Sequence, residues 1–169
     1  DALRELLNKL SESVCESDMF VLFCVSDMQN SVRNLHSALM QSESIAEKRC
    51  AGEEKTVLFY ADRDKFFADE NVNNDFSLED EGMLTSWVNS GYTRKVSDML
   101  DEQYYLMGNM PFCVFRERCD YFMKLLFLTV SSMNLDSSYA EKLEKEYYSS
   151  AYKSYSAKML WEYIRDAFV

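Results

Sequence analysis

The stretch SESIAEKRCAGEEKTVLFYAD, Ser42 to Asp62, decides how the chain is read. It passes from a charged helical pattern through one glycine, Gly52, into a short apolar run rich in β-branched and aromatic residues, Lys55 to Ala61. That order predicts a helix, a glycine stop and a strand. No catalytic residue is assigned among these residues, so the segment reads as scaffold.

Working outward, Leu3, Leu6, Leu7, Leu10 and Val14 fall at helical spacing and predict a first helix over Ala2–Glu16. Met19 to Ser26 reads as a strand. From Ser31 the pattern is helical again, with Val32, Leu35, Leu39, Ile45 and Ala46 expected to face inward. The segment DRDKFFADENVNNDF offers little to bury and reads as a linker. Beyond it the strand signal ends. Ser77 with Asp80 forms a capping-box pattern before Leu78, Leu84, Trp87 and Val88. A turn centred on Gly91 leads to a helix carrying Val96, Met99, Leu100 and Leu106, and GNMP, Gly108 to Pro111, breaks it. Phe115, Cys119, Phe122, Met123, Leu126, Phe127 and Val130 mark the most apolar helix. Two more follow, over Asp136–Ala151 and Ser156–Phe168.

The fold class expected is therefore α+β and mainly helical. A small α-β-α-β unit over residues 1–62 is joined by a linker, 63–76, to a bundle of about five helices, 77–169. A chain of 169 residues is long enough to bury roughly two-thirds of its unfolded surface. Two strands make a poor sheet whose open edge invites another strand, either an unseen one or that of a second copy in a homodimer.

Composition narrows the function. The formal net charge is −11, with no Lys/Arg run, so direct contact with nucleic acid is not expected. The longest unbroken apolar run, Met19 to Val25, falls far short of the ~20 residues a spanning helix needs. No membrane contact and no signal peptide are expected. Five cysteines, Cys15, Cys24, Cys50, Cys113 and Cys119, include no C-x-x-C pair and read as reduced thiols in a cytoplasmic protein.

Candidates for chemistry are few. His36 is the single histidine, so any imidazole dyad must pass through it, and it lies mid-helix with no cysteine at metal-ligand spacing. The acids at Glu53-Glu54 and Glu79-Asp80-Glu81 match no cation loop and suit helix starts or turns. The four glycines, 52, 82, 91 and 108, are isolated, and the tyrosines from Tyr139 to Tyr155 read as core packing. No catalytic residue, cofactor or metal is assigned, and the chain is not expected to be an enzyme.

The order helix, strand MFVLFCVSD, helix, then the opening stretch resembles the C-terminal half of a GGDEF-like, nucleotidyl-cyclase-type domain. Ser37-Ala38, Ser44 to Ala46, Gly52 and Lys55 to Tyr60 carry the likeness. The family's GGDEF sequence, its metal-binding aspartate and its substrate-reading loop are missing, so cyclase chemistry is not implied. FSLEDEGMLTSWVNSGYTRKVSDMLDEQY, Phe76 to Tyr104, and YSAKMLWEYIRDAF, Tyr155 to Phe168, resemble the helical segment that follows such degenerate units in YesN-like response regulators and related AraC-type regulators.

The resemblance implies the middle region of a cytoplasmic transcriptional regulator. Its partners would be a receiver or sensor domain before it and a DNA-binding helix-turn-helix after it. The residues singled out for coupling are Trp87, Phe122, Phe127 and Trp161, as packing groups. A small-ligand or nucleotide-binding module and a stand-alone helical interaction domain are the alternatives.

Overall fold

The computed structural model describes residues 2–15, 20–53, 55–68, 76–133, 137–149 and 151–169, with the side chains of 15, 137 and 138 left aside. In chain order the elements are α1 (Ala2–Cys15), β1 (Phe23–Val25), α2 (Leu35–Lys48), β2 (Val57–Phe59), α3 (Leu78–Asn89), α4 (Thr93–Met107), α5 (Phe112–Ser132), α6 (Ser137–Ser149) and α7 (Ala157–Phe168). Short 3-10 turns precede α2, follow β2 and precede α7. The chain is predominantly helical, with one small sheet among the described residues.

β1 and β2 pair in parallel, with Phe23 opposite Val57, Cys24 opposite Leu58 and Val25 opposite Phe59. Parallel neighbours require a crossover, which α2 supplies. Both strands are shorter than the apolar runs that encode them, and Met19 lies outside the described residues. Ile45 from α2, Leu58 from β2 and Phe66 form a small core beside this sheet, with Leu22, Tyr60 and Phe67 against it. Phe66 and Phe67 belong to the stretch read as linker. The former is buried, and the latter makes an antiparallel bridge to Arg49, so the start of that stretch has more to bury than its polar residues suggest.

α1 lies against β2. Arg4 bonds Asp62 at 2.6 Å and sits 4.1 Å over the Phe59 ring, while the Ser11 hydroxyl meets that of Thr56. Leu3, Leu6 and Leu10 remain exposed.

α2 departs from expectation. Val32 is 81% exposed and Leu39 55%, with Leu35 between them, so three of the residues expected to face inward face solvent. The cause is length. Three-residue strands cover about 10 Å, whereas the 14 residues of α2 run about 21 Å. Only the second half of the helix, with buried Ile45, has a sheet to lie on.

The bundle is built around α5, which buries residues on several faces and packs against α2, α3, α6 and α7. Its neighbours start and stop where the sequence says. The Ser77 hydroxyl accepts from the Asp80 N–H at 3.1 Å, and the Asp80 carboxylate accepts from the Ser77 N–H at 3.0 Å, closing the capping box. The Ser77 N–H, and then the Ser77 hydroxyl at 2.8 Å, donate to the Asp80 carboxylate and hold it below its usual range. Leu78, expected on the apolar face, is 87% exposed; Leu84 carries that face alone among fully buried residues. Gly91, at φ 68°, takes the left-handed turn between α3 and α4 that side chains disfavour. Ser156 caps α7, accepting from the Met159 N–H at 3.2 Å, and α7 buries Leu160, Trp161 and Ile164 against α4 and α5.

Candidate functional site: the seam between sheet unit and bundle

Gly52 is not the stop of α2, which ends at Lys48 with Arg49 extended, and it does not take the left-handed conformation usual for a glycine stop. The glycine is needed for close approach instead. Its N–H donates to the Gly108 carbonyl at 2.8 Å, and a Cβ on Gly52 would lie 3.2 Å from that same oxygen. Two glycines that look isolated in sequence thus meet in space.

Their contact is one stitch of a seam. Ala51 N–H donates to the Met110 carbonyl at 2.9 Å, and Phe112 N–H donates to the Arg49 carbonyl at 2.9 Å. Cys50 and Pro111 form the antiparallel bridge between these bonds, and Cys50 N–H also donates to Phe66 at 2.8 Å. Residues 49–52 of the sheet unit are therefore zipped along the α4–α5 corner of the bundle. Ala51 is itself a member of the bundle's core.

Arg49 pins the seam from inside. It is 1% exposed. Its guanidinium donates to the carbonyls of Ala46 and Tyr155 and lies 3.9 Å over the Phe112 ring. The Tyr155 bond reaches the residue just before the α7 cap, so one side chain touches the end of α2, the start of α5 and the approach to α7. Burial pulls the Arg49 pKa down to about 10, against opposing contributions from Cys24, Glu47 and Tyr155. At neutral pH the group stays a cation. Its Nε has no hydrogen-bond partner, and among the described residues no carboxylate is ion-paired with it. Glu47 is engaged by Arg116 at 3.1 Å.

A cleft of about 390 Å³ opens beside the seam. Phe20, Leu22 and Cys24 form one wall, Ser42, Glu43, Ala46 and Glu47 of α2 a second, and Lys153, Ser154, Tyr155 and Met159 the third.

The four residues singled out from sequence divide into two kinds. Phe122 and Trp161 are buried and meet edge to face, with ring centroids 5.4 Å apart. Trp161 also stacks on Tyr104 at 5.8 Å, and Phe122 touches Phe76 at 4.9 Å. Trp87 and Phe127 are only partly buried against the same core and join no such cluster; Trp87 lies under the Lys95 ammonium at 5.4 Å. Arg49 was not singled out, although an arginine beside a small-residue turn at a helix end is the signal that could have found it.

Tyr147, Tyr148 and Tyr152 form a tyrosine cluster, with Arg116, the partner of Glu47, over the Tyr152 ring at 5.6 Å. Tyr147 is fully buried, and Tyr148 donates to Asp120 at 2.6 Å. Desolvation first, then nearby negative groups, pushes both hydroxyls well above their usual pKa. Tyr147, buried, and Tyr148, half-buried, are un-ionised phenols in aromatic contact and act as packing. His36 is exposed on α2. Among the described residues no group of three or more His, Cys, Asp or Glu is placed to hold a metal ion, and none of their helices is long and apolar enough to cross a membrane. Comparison with protein-family models, with curated proteins and with solved structures finds no match for the chain.

Proposed function

We propose that this chain is a non-catalytic coupling region of a bacterial AraC-type transcriptional regulator. It lies in the cytoplasm between an input domain, a receiver or a membrane sensor, and a DNA-binding helix-turn-helix of the same polypeptide. The observation that carries the reading is the seam, in which residues 49–52 are bonded to residues 108–112 and Arg49 also holds Tyr155. A displacement of α2 or of the sheet cannot be absorbed at such a joint; it moves the α4–α5 corner and the approach to α7 together. Coupling of this kind needs only two arrangements that input and output favour differently. Phe122 and Trp161 link α5 to α7 and are the bundle's part of the relay.

The test is made in the full-length regulator with a promoter reporter. Arg49→Met and Trp161→Phe are compared with wild type for melting temperature, DNA affinity and response to input. A variant that keeps the first two and loses the third supports the relay. If every variant that keeps its melting temperature also keeps its response, or if the reading frame carries no helix-turn-helix, the proposal is wrong.

A further inference from the structure

The cleft beside the seam has a charge arrangement that the relay reading does not use. Both carbonyls that Arg49 holds belong to cleft-wall residues, Ala46 and Tyr155, so its guanidinium lies directly behind the wall. That cation is buried and lacks a paired carboxylate among the described residues, and its Nε has no partner. Lys153, exposed at the rim, likewise has no ion pair among them. The half-buried wall carboxylate, Glu47, is already neutralised by Arg116. Glu43 is exposed at the mouth, where water screens it. The rest of the lining mixes an apolar strip, Phe20, Leu22, Ala46 and Met159, with the polar Ser42, Ser154 and Tyr155.

We propose that this cleft binds a small amphipathic carboxylate. Its apolar body would lie on Phe20, Leu22 and Met159, and its carboxylate would face Lys153 and the wall that Arg49 backs. A cavity of about 390 Å³ is within the range of small-molecule sites, which combine an apolar lining with a few placed polar groups. Burying a cation is costly, Glu47 offsets only part of that cost for Arg49, and an anion brought near it in low dielectric recovers more. The inference stands on the cleft alone and does not depend on the relay, though a ligand seated there would touch both units.

The experiment is an NMR titration of the chain, methyl-labelled at methionine, with phenylpropionate and separately with phenylpropylamine, which share an aryl-propyl body and differ in charge. Met159→Leu assigns the reporter resonance. The expected result is a saturable shift of the Met159 methyl with the carboxylate and not with the amine. Two exposed rim residues give opposite signs without disturbing the fold. Lys153→Gln weakens carboxylate binding and Glu43→Gln strengthens it, each by about two- to five-fold, the range for a solvent-screened charge. No saturable shift with the carboxylate, preference for the amine, or the reverse order of the two rim variants would overturn the proposal.

Discussion

Replacing Ala51 with proline strikes the seam at its centre. The Ala51 N–H reaches the Met110 carbonyl at 2.9 Å, and both residues are buried. Proline has no N–H and sets a ring carbon where that hydrogen points, so the Met110 oxygen loses its donor and is pushed away. A stranded buried carbonyl costs about 1–3 kcal/mol. The same displacement strains the adjacent Gly52–Gly108 bond, 2.8 Å long, whose net worth is about 1 kcal/mol. The sum is about 2–4 kcal/mol, a large share of the roughly 5–15 kcal/mol that holds a typical domain. Urea unfolding followed by far-ultraviolet circular dichroism measures it, with Ala51→Gly as the control that keeps the N–H. A loss for Ala51→Pro below about 1 kcal/mol, or no greater than that of the glycine control, would refute the reasoning, since the seam bonds would then carry no stability.

Phe122→Ala should cost about 3–5 kcal/mol, because the ring is buried and its cavity is walled by Trp161 and Phe76. Phe127→Ala, only partly buried, should cost markedly less in the same urea assay; equal losses would contradict the packing described. Hydrogen bonds from Lys65 and Arg4 lower the Asp62 carboxyl to about 2. Its folded value lies below its unfolded one, so its stabilisation is complete above the ordinary carboxylate range, near 3.8, and fades as pH falls toward about 2. Asp62→Asn should flatten that part of the stability–pH curve, and an unchanged slope would count against the Lys65 and Arg4 contacts to Asp62. Cys119 is fully buried and its thiol is raised well above the usual value, first by desolvation. Alkylation of the native protein, read by mass spectrometry, should leave Cys119 unmodified while half-buried Cys113 reacts.

The sequence is most legible where one residue's chemistry dictates a local conformation. Ser77 with Asp80, Gly91 and the apolar periodicity of α5 each act within a turn or a single helix, and each lies where it was expected. Reading fails where the outcome depends on what the rest of the chain places opposite. Val32, Leu35 and Leu39 share a helical stripe, but periodicity cannot say that the strands stop too soon to cover it. Gly52 looks like a helix stop because glycine usually is one; its neighbour Gly108 is distant in sequence, and only the folded chain brings them together. Arg49 was missed for the same reason. An arginine at a helix end can be noticed in the sequence, but the Tyr155 carbonyl and the Phe112 ring that hold it are brought to it only by the fold.

The chain offers two reporters for the seam, because it contains two isoleucines. Ile45 lies in the core of the sheet unit and Ile164 in that of the bundle. Methyl-labelling both and following their resonances through a urea titration reads each unit separately in one sample. If the seam makes a single cooperative block of the two, both methyls lose their native signals at one midpoint, and Ala51→Pro separates them or shifts them together. Two distinct midpoints in the unaltered chain, with Ile45 released while Ile164 stays native, would contradict the account.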